Sequence, residues 1–348
     1  MRSSFFGRLF SASVIVAATL TSVPAHAGPF NNMFVFGDSL SDTGNLKILS
    51  PSDYPPPASG PYFDGRLSDG PVWVETLAAD LGLAASTSPY FAGTGGTNFA
   101  IAGARTGSTG SPPGVLAQIG GIWFPAFGAA DPNALYVVVG GGNDLRDARS
   151  TFQTRSRADA AGREGAAEAA MSNLISSIGF LAAHGAKHVL VSNLPDLGKT
   201  PEARLIGLRY ASTDVSNRFN ALMPELLSAG VGFGLDMSFL DMAGLLGQIT
   251  ADATNNGGGV YGITSVRTPC AGFLYSTGHA CSSSLFSDAL HPSAVTHHWI
   301  GEAAYAAVMQ DSGTLAVPEP ETYALMAAGL MLVALQARRR ARRSTTAA

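Results

Sequence analysis

The sequence is short of charge and of cysteine, and its charge is unevenly placed. Only 13% of the 348 residues are Asp, Glu, Lys or Arg, against 46% that are hydrophobic. That composition and length suit one large domain, or two small ones, around a substantial core. Of the 21 basic residues, seven lie at the extreme ends: Arg2, Arg8, Arg338, Arg339, Arg340, Arg342 and Arg343. Residues 28–312 keep 14 basic against 23 acidic residues, near −9 where the whole chain is −4. An acidic body without basic clusters argues against nucleic acid as a partner. No repeat of fixed period occurs. The 41 Gly and 20 Pro are spread along the chain, which excludes a collagen-like or low-complexity protein. No cluster of His, Cys and Asp has metal-ligand spacing, so no metal is expected.

The two ends differ from the body. Residues 1–27 read as a secretory signal: Arg2 and Arg8, a largely apolar stretch from Leu9 to Leu20, then Ala25-His26-Ala27 as a small-x-small cleavage site. The apolar run is short for a membrane-spanning anchor. Export suits the two cysteines, Cys270 and Cys281, which are expected to form a disulfide around a ten-residue Gly-bearing loop. The bridge would brace the segment that follows it, without entering the chemistry. Two buried free thiols are the other reading.

The most informative stretch is Phe34–Asn45, FVFGDSLSDTGN. Phe34-Val35-Phe36 reads as the end of a buried parallel strand cut off by turn residues. In open α/β sheets reactive groups collect beyond the carboxyl ends of the strands, and Ser39 falls there, ahead of residues that suit a helix cap. A serine at such a turn is a candidate nucleophile; it also serves as a plain cap. The segment resembles the first block of the GDSL, or SGNH, family of serine hydrolases, matching GDSLSDTGN from Gly37 to Asn45.

Further blocks resembling that family follow in order. Thr97–Thr106 (TNFAIAGART) is similar to the second, whose chemical candidate is the backbone N–H of Gly103; Ala102 stands where the family often has another Gly. Ala134–Val139 (ALYVVV) is β-branched and apolar, a clear strand, and runs into GGGND, which resembles the GxND block and offers the Asn143 amide. Phe286–Ser293 (FSDALHPS) resembles the DxxHP block. Pro292 keeps His291 out of the α region, and Asp288 three residues earlier can orient its imidazole. GRLSDGPVWVE resembles a segment of secreted members and leads into a helix containing Trp73, Val74, Leu77 and Ala78, with proline near its first position. Arg66 and Trp73 there suit either a cleft lining or loop folding and core packing. Elsewhere the pattern predicts a helix over Ala158–His184 ended by Gly185, a strand at Lys187–Ser192, helix over Ala203–Ala229 divided or kinked at Pro224, and a short strand at Val231–Leu235. His297 and His298 read as packing or surface residues on the last helix.

The resemblance implies a three-layer α/β/α, flavodoxin-like fold over residues 28–312 with a mostly parallel sheet of about five strands. It implies a triad of Ser39, His291 and Asp288 and an oxyanion hole of Ser39 N–H, Gly103 N–H and the Asn143 amide, with no cofactor. The α/β-hydrolase alternative requires a G-x-S-x-G elbow. Ser39 has Gly37 two before it but Ser41 two after, and no other serine satisfies the pattern. The implied substrates are lipid, phospholipid, aryl or acyl esters. Acetylated sugars, acyl transfer, and a non-catalytic extracellular-matrix role on the same scaffold are the other readings.

Residues 313–348 form a separate tail: Val317-Pro318-Glu319-Pro320, an apolar run from Thr322 to Ala337, then the arginines. It resembles a PEP-CTERM sorting signal, which implies an exosortase-type processing partner, a Gram-negative source, export across the inner membrane and display at the surface or beyond. At ~1.5 Å per residue the run spans about 24 Å, short for a ~30 Å hydrocarbon core. It suits a transient membrane stop with snorkelling arginines, and a permanent anchor is the alternative.

Overall fold

The computed structural model describes residues 29–54, 62–270 and 280–311. The leader and the tail therefore lie outside the described residues. Three apolar runs form strands where the sequence places them: β1 (Met33–Phe36), β2 (Leu135–Val138) and β3 (His188–Ser192). A fourth, β4 (Asp236–Leu240), completes a sheet in the order β1-β2-β3-β4, parallel throughout. Because side chains alternate across a strand, Met33, Val35, Leu135, Val137, Leu190 and Leu240 meet one layer of helices. Phe34, Phe36, Tyr136, Val138, Val189 and Val191 meet the other.

The helices in chain order are α1 (Asn45–Leu49), α2 (Trp73–Asp80), α3 (Val115–Ala117) running through a π-helical stretch into α4 (Phe124–Phe127), α5 (Gly142–Thr151), α6 (Arg157–Ala183), α7 (Pro201–Leu205), α8 (Arg209–Ala221), α9 (Met223–Gly232), α10 (Met242–Asn255) and α11 (Ala294–Asp311). Met171, Leu174, Ile178 and Leu181 of α6, with Val215 and Phe219 of α8, cover the Phe36 face. Trp73 and Leu77 of α2, Ile249 of α10, and Ile300 and Val308 of α11 cover the Val35 face. The result is an α/β protein of three layers.

One place beside β1 remains, and the second sequence block fills it. Val35 N–H donates to Thr97 O (3.1 Å), Phe99 N–H to Val35 O (2.7 Å) and Ile101 N–H to Gly37 O (3.2 Å), and Val35 bridges Asn98 in parallel. This segment stops short of being a fifth strand because Asn98 turns inward. Its Oδ1 accepts from Ala100 N–H two residues on, and its Nδ2 donates to Ser41 O and Thr43 Oγ1. Such local bonds compete with a ladder. The chain thus runs from β1 outward to Thr97–Ile101 on one side, then back to β2 on the other. Right-handed crossovers place helices on opposite faces for the two directions, as α2 and α6 are. The crevice between β1 and β2 is the switch point where open α/β sheets bind ligands.

Three expectations shift. Trp73 is the first residue of α2 and Val72 its cap, so Pro71 lies outside the helix; Glu75 Oε2 accepts the Val72 N–H (2.8 Å) and closes that end. The fourth strand lies five residues beyond Val231–Leu235, because α9 runs on to Gly232 and Gly234 makes the turn at φ 79°. The region from Ala203 divides twice, at 206–208 and at Leu222, with Pro224 in the first turn of α9.

Candidate active site

Ser39 follows β1 and Asn143 follows β2, so both stand at the switch point. The turn carrying Ser39 is held from below. The Gln118 side chain accepts from Gly37 N–H (2.9 Å) and donates to Gly37 O (2.9 Å), standing in for a strand neighbour. A Cβ on Gly37 would come 2.8 Å from Val139 O, which is why the residue before the turn is glycine. Asp42 takes four backbone N–H groups: Gly44 and Asn45 on Oδ1 (2.7 and 2.6 Å), Leu46 and Ala102 on Oδ2 (3.1 and 2.8 Å). Burial raises its pKa, opposed by those four donors. Neither Gln118 nor the span of Asp42 is legible from spacing, since both act across 60 or more residues.

Asp288 and His291 arrive on the segment before α11. Ser39 O–H donates to His291 Nε2 (3.0 Å) and His291 Nδ1–H donates to Asp288 Oδ2 (2.7 Å). An ionised carboxylate only accepts, so the Nδ1–H tautomer is the one that makes both bonds. Asp288 Oδ1 accepts from the N–H groups of Leu290 (2.7 Å) and His291 (2.6 Å), and Oδ2 also accepts from Tyr62 O–H (2.8 Å). Burial pushes the Asp288 pKa up, but the His291 charge and hydrogen bond and the two N–H donors outweigh it, leaving the carboxylate well below its ordinary range. Tyr62 comes from a loop more than 200 residues away, and no local signal marks it.

The remaining candidate donors lie on the facing loops. Asn143 Nδ2 donates to Ala104 O (2.9 Å), and its Oδ1 accepts from Arg146 Nη1 (3.3 Å). An amide carries two N–H groups, so one is left over. Arg146 is itself fixed by Glu202, which also pairs with Arg149. Ala102 N–H is spent on Asp42, whereas the N–H groups of Gly103 and Ser39 have no acceptor among the described residues. Gly103 sits at φ 87°, a conformation that favours glycine. Asp144 ties this loop to the second block through Thr106 N–H (3.0 Å) and Oγ1 (2.9 Å).

Beside Ser39 and His291 opens a cavity of about 650 Å³, bordered by Leu40, Asn143, Leu194 and Leu290. Asp38 reaches it too. Burial lifts its pKa to about 6, against the opposing pull of the Leu40 N–H and of the charge on His291. Arg66 and Trp73 stay away: Arg66 pairs with Glu75 (2.7 Å), and buried Trp73 donates its indole N–H to Ser41 Oγ (3.2 Å). His297 is buried, accepts Trp73 N–H on Nδ1 (3.2 Å), and has its pKa lowered to about 3 by burial and then by His291; His298 is exposed near Glu302. Cys270 and Cys281 are joined in a disulfide. Asp69 lies beside that bridge, and these three form the one close group of potential metal ligands among the described residues, with both sulfurs already bonded.

Comparison with known proteins adds a family to this geometry. The tail residues 316–340 match the PEP-CTERM protein-sorting motif. Esterase EstA of Pseudomonas aeruginosa is 29% identical over 334 residues, covering 85% of this chain and 49% of that protein. The phosphatidylcholine-sterol acyltransferase of Aeromonas hydrophila is 27% identical over 278 residues, covering 75% of this chain and 71% of that one. The chain thus spans about half the length of the EstA relatives it matches. Among solved structures, the carbohydrate acetylesterase Est24 of Sinorhizobium meliloti covers 81% of this chain and 98% of its own at 15% identity and a TM-score of 0.42. The GDSL-like lipase/acylhydrolase profile matches residues 33–304, from the first residue of β1 into the last helix. On the strength of that match, the chain belongs to the GDSL-like lipase/acylhydrolase family.

Proposed function

We propose that this protein is an exported serine esterase that hydrolyses carboxylic esters at Ser39. The observation that carries the reading is the unbroken relay from Ser39 Oγ through His291 to an ionised Asp288, beside a cavity large enough for an acyl group. His291 Nε2 takes the Ser39 proton as Oγ bonds to the ester carbon, and the carbonyl oxygen becomes an oxyanion. The N–H groups of Ser39 and Gly103 and the second Asn143 N–H receive that charge. The imidazolium then gives its proton to the leaving alkoxide, which departs as alcohol and leaves an acyl-serine. Water, deprotonated by His291, attacks the acyl carbon, and the proton returns to Ser39 as the acid is released. Asp288 stays ionised throughout and stabilises the imidazolium.

The domain division proposed alongside is a leader at 1–27, the hydrolase at 28–312 and a sorting tail at 313–348. The tail would be removed by an exosortase-type enzyme, leaving the hydrolase at the surface or beyond; a secreted product still carrying Leu325–Arg343 in an exosortase-bearing host contradicts this. Likeness to an acyltransferase makes transfer to an alcohol the second reading of the deacylation step. A panel of p-nitrophenyl esters of rising chain length, run beside acetylated xylan and phospholipid with and without an alcohol acceptor, tests the proposal. Ser39→Ala is expected to abolish turnover of the whole panel while leaving thermal stability intact. Absence of turnover by the unmodified protein on every ester supports a non-catalytic matrix role instead.

A further inference from the structure

The cleft beside Ser39 carries the opposite charge to the rest of the body. Its lining holds five cationic side chains, Arg146, Lys199, Arg204, Arg209 and Arg267, against two carboxylates, Asp38 and Asp196. Residues 28–312 contain only 14 basic residues among 23 acidic ones, so more than a third of the positive charge converges here. Arg146 shares the Glu202 carboxylate with Arg149 and is left out of the count. The other four are in no ion pair among the described residues. Asp196 has one oxygen committed to Gly198 N–H and Thr213 Oγ1 (both 2.8 Å), and Asp38 is buried. Four cations against two carboxylates leaves two positive charges uncompensated.

These cations line the cleft together with apolar side chains. Lys199 comes from the turn before α7, Arg204 from α7, Arg209 from the first position of α8, and Arg267 from the segment beyond α10. Leu194, Leu197, Leu246, Leu285 and Phe286 lie among the lining with them. Leu205 and Ile206, next in sequence to Arg204, are each 48% exposed. A purely neutral ester uses none of this charge, and like charges around one cleft repel one another unless an anion enters. Clefts lined by one sign of charge focus the field and concentrate ligands of the other.

Resting on the esterase reading above, we propose that the cleft selects amphiphilic esters bearing a net negative charge, from phosphate or carboxylate. The apolar part packs against the lining leucines and Phe286, and the charge is met by Lys199, Arg204, Arg209 and Arg267. Two matched pairs of substrates test this. One is p-nitrophenyl hexanoate against mono-p-nitrophenyl adipate, with the charge on the acyl side. The other is dihexanoylphosphatidylcholine against dihexanoylphosphatidylglycerol, both below their micellar concentrations, with the charge on the alcohol side. In at least one pair kcat/KM is expected to favour the anionic member by ~10-fold or more at low salt, a preference that shrinks several-fold at 0.5 M salt. Combining Arg204→Gln, Arg209→Gln and Arg267→Gln should lower the ratio by roughly 10-fold. Lys187→Gln, at the other end of β3, should leave the ratio alone. Preference in the lipid pair alone assigns the charge to the alcohol, in the adipate pair alone to the acyl group, and either upholds the proposal. Turnover of the neutral esters with no anionic preference, or a preference blind to salt and to the triple substitution, overturns charge selection alone. No turnover of any of the four overturns the esterase reading together with it.

Discussion

Ser39 and His291 face each other from two walls built on different principles. The wall carrying Ser39 grows out of the sheet: Gly37 is clasped by Gln118, Asp42 gathers four backbone N–H groups, and Asn45 Nδ2 donates to both Asn98 O (2.8 Å) and Ala100 O (2.9 Å). All three of these side chains are buried, and their bonds overlap, so losing one leaves others. Among the described residues, the wall carrying Asp288 and His291 has no strand of the sheet between α10 and α11. It is tied to distant parts of the chain by bonds to a few scattered residues. Ser287 Oγ donates to Asp69 Oδ1 (2.6 Å), Glu202 N–H to Ala289 O (2.7 Å), Ser68 Oγ to Pro292 O (3.1 Å) and Tyr62 O–H to Asp288, with the disulfide upstream. A candidate nucleophile set by overlapping buried bonds thus meets a candidate base set by separate long tethers. The base wall is where geometry is most easily loosened.

The largest expected effect comes from breaking the base wall at its centre. Asp288→Asn keeps the shape but presents an amide N–H or a weaker acceptor to His291 Nδ1, favouring the wrong tautomer. A fall in kcat of about 10⁴-fold is expected, measured on p-nitrophenyl butyrate. A loss below tenfold removes Asp288 from the relay.

The disulfide comes next. Closing a loop of about a dozen residues is worth roughly 3 kcal/mol in the chain-entropy model. Cys270→Ser/Cys281→Ser should lower Tm and cost more activity at high temperature than at low, because it releases only the base wall. Equal loss at all temperatures would place the bridge outside this role.

Asp38 probes the nucleophile wall with pH. Its carboxyl is pushed to about 6 from 3.8, chiefly by burial. The fold therefore favours the protonated form: the contribution is fully present below about pH 4 and is lost as pH rises through 6. Two units correspond to about 3 kcal/mol. Asp38→Asn should match the parent in stability near pH 3.5, gain on it between pH 4 and 6, and hold a constant lead above pH 7. A difference that does not vary with pH contradicts the burial argument.

Tyr62→Phe is the smallest and the most discriminating of these changes. It removes one tether and leaves three donors on Asp288. A several-fold fall in kcat with KM and Tm nearly unchanged is expected, in line with ~1 kcal/mol for one hydrogen bond. A fall in Tm with kcat preserved would make Tyr62 a fold contact and not a positioning one.

The same division decides what the sequence reveals. β1, β2 and β3 are legible because strands buried on both faces are plain apolar runs. β4 is not: Asp236 is exposed and the strand alternates, while the glycines before it end a helix. Thr97–Ile101 bonds to β1 like a fifth strand, yet Asn98 folds its side chain back onto its own backbone, a choice fixed by Ser41 and Thr43, 57 and 55 residues away. Ser39, Gly103, Asn143, Asp288 and His291 stand out because each lies in a short block with a recognisable pattern. Tyr62, Gln118 and Glu202 have no such block, and they reach the site only through long-range folding. The charge of the cleft is hidden for the same reason, being assembled from single residues between Arg146 and Arg267.

Whether Ser39 is activated by the relay is open to one direct measurement: intact mass after brief treatment with a fluorophosphonate, followed by mapping of the modified peptide. The account predicts a single adduct, on Ser39, formed quickly in the unmodified protein, slowed at least 10²-fold in His291→Ala and absent in Ser39→Ala. An adduct that persists in Ser39→Ala, or no adduct in the folded unmodified protein, contradicts it.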